Sequence, residues 1–593
     1  MTDSRILDPA DMTFVLHEWL RVEDLVQLER YADHGRDTYD DVIDLARRLA
    51  KDQFAPHNRA ADLDEPQVVD GVVRLHPAIG PALAAFAQAG LVGATMDYEA
   101  DGIQLPHVVY RAALMWLQAA NISTAGYPLL TTAAANLIRA HASAELADRY
   151  LAPMVDGRWF GTMNLSEPGI GSGLGDLRTH AARQADGTYR IRGDKMWISG
   201  GDHELSENIV HLVLARTGGD GVKGLSLFIV PKWLGEPGAL TDRNDVALVG
   251  INHKMGYRGT VNTVLTYGSG AHPIGDESGA IGYLIGDEGL GLTYMFHMMN
   301  EARLAVGGSA AALSATGFLH ARAWAREREQ GRELGGKDPS LPPVAIIRHP
   351  DVRRMLLEAK SYSEGSVALV LYTTRLLDLA QASADGADGR DADLLLDVLT
   401  PIAKSWPSQW GLAANDLAIQ IHGGSGYVRD FPVEQFYRDN RLNAIHEGTH
   451  GIQALDLLSR KVRLADGAGL TLLLDRMHDT VARCAEVAPD LAAILSDRAE
   501  RLRHVTDALW EAGDARAALA NASDYLEAAG DVVVGWLLLD QLAALGARTD
   551  VFAAAKRLTV EFYFRHVLPR AEPRFALLAS GDRMLADLDD ALI

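Results

Sequence analysis

The hydrophobic period switches twice along the chain, and no single motif constrains the fold as tightly. From about residue 40 the spacing is helical. Asp40 to Ala50 (DDVIDLARRLA) places Val42, Ile43, Leu45, Ala46 and Leu49 on one face, ahead of KDQF and a break expected at Pro56. Pro81 to Ala89 and Leu129 to Ala140 are further helical runs. Between about Arg158 and Tyr267 the period falls to two. Thr188 to Arg192 alternates and Met196-Trp197-Ile198 continues it. Ile209 to Leu214, Leu225 to Val230 and Asn262 to Tyr267 follow as short β-branched and aromatic runs between Gly, Asp and Asn turns. From about Gly279 the helical period returns and holds to about Arg463, interrupted by a Gly- and Pro-rich loop at Gly331 to Pro343. Asp466 to Ile593 is Ala- and Leu-rich, helical, and richer in acids than bases.

The expected fold is therefore mainly α with a central β domain. Its expected parts are an N-terminal extension (1–39), an N-terminal helical domain (40–157), a middle β domain (158–275), a C-terminal helical domain (276–463) and an additional helical domain (464–593). A chain of 593 residues is long enough for that many folding units.

Composition narrows the function classes. With 48% hydrophobic and 23% charged residues the chain is neither a disordered segment nor a collagen-like fibre. Lys plus Arg total 56 against 79 Asp plus Glu, a formal charge of −23. A field of that sign repels phosphate backbones and anionic lipid, so no nucleic-acid partner is expected. Cys484 stands alone, which removes any intramolecular disulfide and any CxxC metal site or redox pair; no metal site is expected. The segment MTDSRILDPADM lacks the apolar core of a secretory signal. The apolar run Val532 to Leu539 stops at Asp540, too short to span a bilayer. The expected location is cytoplasmic.

Three constellations could carry chemistry. Met163-Asn164-Leu165-Ser166-Glu167-Pro168-Gly169-Ile170-Gly171-Ser172 sits where helices give way to strands, and its glycines let a backbone approach a diphosphate or a polar ring edge. A structural turn reads the same way. Lys195-Met196-Trp197-Ile198-Ser199 could set an indole and a hydroxyl against an aromatic cofactor, or bury the Trp in the core. The third comprises Gln420-Ile421-His422-Gly423-Gly424-Ser425-Gly426-Tyr427, then Tyr437-Arg438-Asp439, then Ile445-His446-Glu447-Gly448-Thr449. Its Glu447 is either a reacting carboxylate or a first-turn acid answering a helix dipole.

Taken together, in order and at matching spacing over roughly residues 40 to 463, these elements resemble the acyl-CoA dehydrogenase superfamily. Ser166 to Gly173 is similar to that family's T-E-P-x-A-G-S-D loop, Lys195 to Gly200 to its K-x-W-I-T/S-N element, and Gln420 to Tyr427 with His446 to Thr449 to its Q-x-x-G-G-x-G-Y and Y-E-G-T elements. Asp11 to Glu18 and the long C-terminal extension further resemble a large bacterial branch that includes 3-methylmercaptopropionyl-CoA dehydrogenase-like enzymes. The resemblance implies an N-terminal helical domain, a middle β-barrel-like domain, a C-terminal helical bundle and a helical extension.

It also implies a reaction: FAD-dependent oxidation of an acyl-CoA thioester to its trans-2-enoyl form. By match to the Y-E-G-T loop, Glu447 is the α-proton base and Arg303 the arginine behind it. Ala302 fills the slot where some relatives carry a helix-borne base, and Glu301, one residue away, is turned by about 100°. The carry-over places Met163, Leu165 and Ser166 at the flavin edge, Gly171 and Ser172 near the diphosphate, and Trp197 and Ser199 at the ring. Arg328, Gln420, Gly423 and Gly424 would reach the FAD of a second subunit, implying a homodimer, while Thr449 closes the site. Ser172 and His446 would meet substrate, and electron-transfer flavoprotein would take the electrons. Two departures stand out. Gly173 replaces the family's loop-anchoring Asp, and His446 replaces the Tyr before the base, with His450 just beyond, which suits a short or polar acyl group such as 3-methylthiopropanoyl. The alternatives are an acyl-CoA oxidase, elimination from a substituted acyl-CoA, and a nucleic-acid-binding alkylation-response homologue, the last disfavoured by the acidic extension.

Overall fold

A computed structural model describes residues 5–275, 277–336, 338–384 and 386–593, apart from the side chain of His297. The chain divides into two compact units, each built from separated stretches of sequence. One comprises Asp44–Leu105 and Ala120–Ala302; the other comprises residues up to Ile43, Pro106–Ala119 and Arg303–Ile593.

The first unit holds an eight-stranded sheet: β1 (Trp159–Asn164), β2 (His180–Arg183), β3 (Tyr189–Ser199), β4 (Asn208–Arg216), β5 (Leu225–Pro231), β6 (Val246–Ile251), β7 (Asn262–Tyr267) and β8 (Ala280–Ile285). Its order is β6-β7-β3-β8-β5-β4-β1, and β2 pairs with both β3 and β4. The path β3–β8–β5–β4–β2 therefore returns to β3, closing a small barrel whose strands bury Tyr189, Ile191, Val213, Phe228 and Val230 in one cluster. β1 joins β4 in parallel. The helix Ile122–His141 starts at Asn121, whose side chain accepts from Thr124 N–H. Its Ala134, Leu137 and Ile138 pack with Trp159, Leu212 and Leu227.

Two sequence expectations change in this region. β8 carries the sheet past residue 275, and the long helix begins at Gly291, not near Gly279. Ala280 and Gly282 supply too little hydrophobic contrast for the alternation to stand out. Pro56 does not break the chain's helical course. It sits in a 3₁₀ turn (Ala55–His57) that joins the π-turn Ala50–Phe54 to the helix Asn58–Leu63, where a missing N–H goes unnoticed.

The second unit is helical. The helices Pro350–Ala382 and Ala387–His422 pack together and against the run from Arg303 to Glu327. A Cβ on Gly307 would lie 2.1 Å from the Ala403 carbonyl oxygen, so only glycine permits this approach. Pro106–Ala119 belongs here too, because the Asp378 carboxylate accepts from the N–H groups of His107 (2.6 Å) and Val108 (2.9 Å). The C-terminal extension adds the helix Ala522–Leu545, fixed by Trp406 Nε1 donating to Asp531 (3.0 Å). The N-terminal segment closes on the same extension, with Trp19 Nε1 donating to Asp540 at 2.8 Å.

Val532 to Leu539 lies inside Ala522–Leu545, which, like Gly291–Glu327, is long and apolar enough to cross a membrane. Their apolar windows are 83% and 89% buried within the protein, as core helices require.

Candidate active site

After β1 the chain turns through Leu165, Ser166 and Glu167. Lys195, fully buried on β3, donates from Nζ to the Leu165 carbonyl (2.9 Å) and to Glu167 Oε1 (3.0 Å). The same carboxylate accepts from the N–H groups of Arg178 (2.8 Å) and Thr179 (3.0 Å). Burial pushes Glu167 up, but the Lys195 ammonium and these N–H donors outweigh it and leave the carboxyl below its ordinary range. Burial pushes Lys195 down to about 8. Met196 N–H donates to the Ser166 carbonyl at 2.9 Å, so Met163, Leu165 and Ser166 are held beside the end of β3. Glu167 thus anchors a loop in which Gly173 supplies no carboxylate.

Trp197 is not in the core. β7 pairs Thr263 with Ile198 and Leu265 with Lys195, so Met196 and Trp197 together oppose one residue, a β-bulge. Trp197 takes φ +68°, a left-handed backbone, and the residue is 59% exposed. The Ser199 hydroxyl accepts from Asn262 Nδ2 at 3.2 Å. A Cβ on Gly171 would meet nothing within 4 Å, and Gly171 and Ser172 are exposed. That backbone is open to a ligand.

In the helical unit, Thr449 is the N-cap of the helix His450–Ser459, its side chain accepting from Ile452 N–H. Glu447 precedes the cap, at φ +55°, and so is not a first-turn acid. The carbonyls of Glu447 and Gly448 accept from Gln453 Nε2 (3.0 Å) and Lys404 Nζ (2.5 Å). Burial pushes Glu447 up to about 7, against the opposing pull of Lys404 and Arg303. Arg303, buried, donates to Asp456 Oδ2 at 3.1 Å. His446 Nε2 lies 3.1 Å from Asn443 Oδ1, and burial with the Lys404 charge pushes the imidazole down to about 3. It is therefore neutral at physiological pH and brings polarity, not charge. His450 turns to the Ser405 hydroxyl (3.1 Å) and to Glu527 (3.7 Å) of the extension. Glu301 accepts from Asn136 Nδ2 (3.1 and 3.3 Å).

A further ring pair lies in the helical unit. Trp324 stacks on His422 with ring centres 5.1 Å apart. Arg328, Gln420, Gly423 and Gly424 are all exposed. The structure thus groups Met163, Leu165, Ser166, Trp197 and Ser199, with Gly171 and Ser172 farther along the same loop. It separately groups Glu447, Arg303, His446 and Thr449. Four side chains with evident work in these groups, Glu167, Lys195, Lys404 and Gln453, received no role from the sequence. Lys404 left one signal, a single cation inside the apolar run Thr400-Pro401-Ile402-Ala403-Lys404-Ser405-Trp406.

Residues 36–158, 162–267 and 289–462 match the N-terminal, middle and C-terminal domains of acyl-CoA dehydrogenases, and 473–589 match an acetyl-CoA dehydrogenase C-terminal-like family. A 3-methylmercaptopropionyl-CoA dehydrogenase of Ruegeria pomeroyi is 36% identical, covering 96% of this chain and 97% of its own. The chain belongs to the acyl-CoA dehydrogenase family. It is an oxidoreductase. A butyryl-CoA dehydrogenase of Syntrophomonas wolfei is 33% identical, with 98% of each chain covered. The fold matches a Bacillus anthracis acyl-CoA dehydrogenase solved in complex with FAD (TM-score 0.73, 17% identity, 95% of this chain and 93% of that one). This acyl-CoA dehydrogenase fold has helical, β and helical domains in order, followed by the helical extension.

Proposed function

We propose that this protein oxidises the α,β bond of an acyl-CoA thioester to the trans-2-enoyl form, with Glu447 removing the α-proton. The observation that carries this is Glu447 itself: a half-buried carboxyl in a left-handed turn, raised to about 7, where a base is both available and strong enough to act. Arg303, held by Asp456, keeps a fixed positive charge near it.

The cofactor is FAD. When bound, it supplies the hydride acceptor at N5. The residues present fit it: an exposed indole on a bulge, the Ser199 hydroxyl beside it, and the open backbone at Gly171 and Ser172. Lys195 and Glu167 hold the loop that would meet the flavin edge through Met163, Leu165 and Ser166. Arg328, Gln420, Gly423 and Gly424, each exposed, would extend to the FAD of a second subunit in a homodimer. Thr449 caps the helix behind the base. The electrons would pass to electron-transfer flavoprotein, in the cytoplasm. Ser172 and the neutral His446 would face substrate, and a polar imidazole suits a short or polar acyl group such as 3-methylthiopropanoyl.

Anaerobic addition of butanoyl-, hexadecanoyl- and methylthiopropanoyl-CoA should bleach the flavin, with the polar or short chains fastest and Glu447→Gln inert. Reoxidation by electron-transfer flavoprotein rather than air separates a dehydrogenase from an oxidase. A colourless protein that takes up no FAD, or a fully active Glu447→Gln, overturns the proposal.

A further inference from the structure

We propose that Lys404 is a positioning residue for the catalytic base: its ammonium fixes the Glu447–Gly448 turn through the Gly448 carbonyl and favours the ionised form of the Glu447 carboxylate. This rests on Glu447 being the base.

The geometry comes first. Lys404 is fully buried on the helix Ala387–His422, and its Nζ lies 2.5 Å from the Gly448 carbonyl oxygen. Gly307 draws the neighbouring residue Ala403 inward by leaving no Cβ in its way. Glu447 and Gly448 take φ +55° and +91°, conformations that persist in a non-glycine residue only when surroundings hold them. Both carbonyls of the turn are held by buried side chains, one by Gln453 and one by Lys404.

The charges agree with the geometry. From the loop, Glu447 attracts the ammonium and His446 sits beside it as a neutral ring. From the helix Gly291–Glu327, Arg303 repels it, while Asp456 of His450–Ser459 takes up part of the Arg303 charge. His450 is engaged with Ser405 and with Glu527 of the extension. Burial pushes Lys404 down to about 7 and Glu447 up to about 7, so the two groups titrate in one range and their apparent constants belong to the pair. Only states with Glu447 ionised can take the α-proton, and a nearby ammonium favours those states.

The test compares wild type, Lys404→Met, Lys404→Gln and Lys404→Arg as flavin-loaded enzymes, with Glu447→Gln as the reference. Lys404→Met should move the acidic limb of kcat/KM up by about one pH unit and lower kcat at neutral pH about fivefold, with KM little changed. Lys404→Arg should restore the limb. Lys404→Gln keeps a donor without the charge, so it serves where the Met variant fails to fold and should show the same upward limb. In flavin-free protein, the Glu447 carboxyl band, assigned by infrared difference against Glu447→Gln, should titrate at higher pH in Lys404→Met. An unmoved limb and band in folded Met or Gln variants overturns the role of Lys404 while Glu447→Gln stays inactive. An active Glu447→Gln instead overturns the assignment of the base.

Discussion

The Lys195 ammonium and the Glu167 carboxylate meet at 3.0 Å with 0% and 5% of their side chains exposed. Lys195→Met leaves the carboxylate buried without its counter-charge and should cost about 3 kcal/mol, the usual scale for breaking one side of a buried pair. Chemical denaturation measures the loss, and flavin retention on gel filtration should fall with it. Glu167 titrates below its unfolded value near 4.3, so its stabilisation is complete above that pH and is lost as pH falls through the folded value.

Trp197→Gly separates strain from function. A left-handed non-glycine residue costs about 1 kcal/mol, so the flavin-free protein should hold or gain slightly in stability. FAD affinity should fall at least about tenfold as the exposed ring face is lost. Fluorescence titration of apoprotein with FAD, beside its thermal unfolding, reads both. A variant that binds FAD as tightly as wild type would remove the indole from the cofactor site.

Turnover should depend on pH through Glu447. Because the carboxyl is raised to about 7, kcat/KM should climb with pH up to that value and then level off. The stability sign is opposite: a raised carboxyl stabilises the fold below its unfolded value, and that contribution is lost as pH rises through about 7. A pH–rate profile with parallel unfolding measurements checks both directions.

Much of this was legible in the sequence, and the exceptions share a physical origin. The loop Ser166 to Gly173, the element Lys195 to Ser199 and the acid Glu447 stand out because they are contiguous. The bulge that turns Trp197 outward does not, since it exists only where β3 pairs with β7. β1 is almost wholly buried and so lacks the alternation that marks a half-exposed strand. Lys404 and Gln453 act on a turn more than forty residues and six residues away respectively. Only tertiary packing shows which carbonyls they reach.

The extension should matter to the reaction through His450. Glu527 is pushed down to about 2: burial opposes ionisation, and His450, Gln409 and Arg574 more than offset it. Glu527→Ala should lower kcat several-fold with KM little changed, because it loosens the helix that Thr449 caps, and should cost about 2 kcal/mol. Equal kcat in a folded Glu527→Ala protein would confine the extension to a purely mechanical role.

Gly307→Ala should be poorly tolerated. The added methyl would sit 2.1 Å from the Ala403 carbonyl oxygen and force two helices apart at a cost of about 1–3 kcal/mol. Thermal unfolding should show the loss, and turnover should fall further than stability alone accounts for, since Lys404 shifts with Ala403.

The interleaving of the two units has a consequence for synthesis on the ribosome. Every stretch of the β-containing unit has been made once Ala302 is complete, so it can close early. The opening segment cannot: Asp11 pairs with Lys556, and Trp19 waits for Asp540. Asp11 and Trp19 therefore lack these partners until the helices that carry Asp540 and Lys556 have been made, long after Tyr31 of the same segment can meet Asp378.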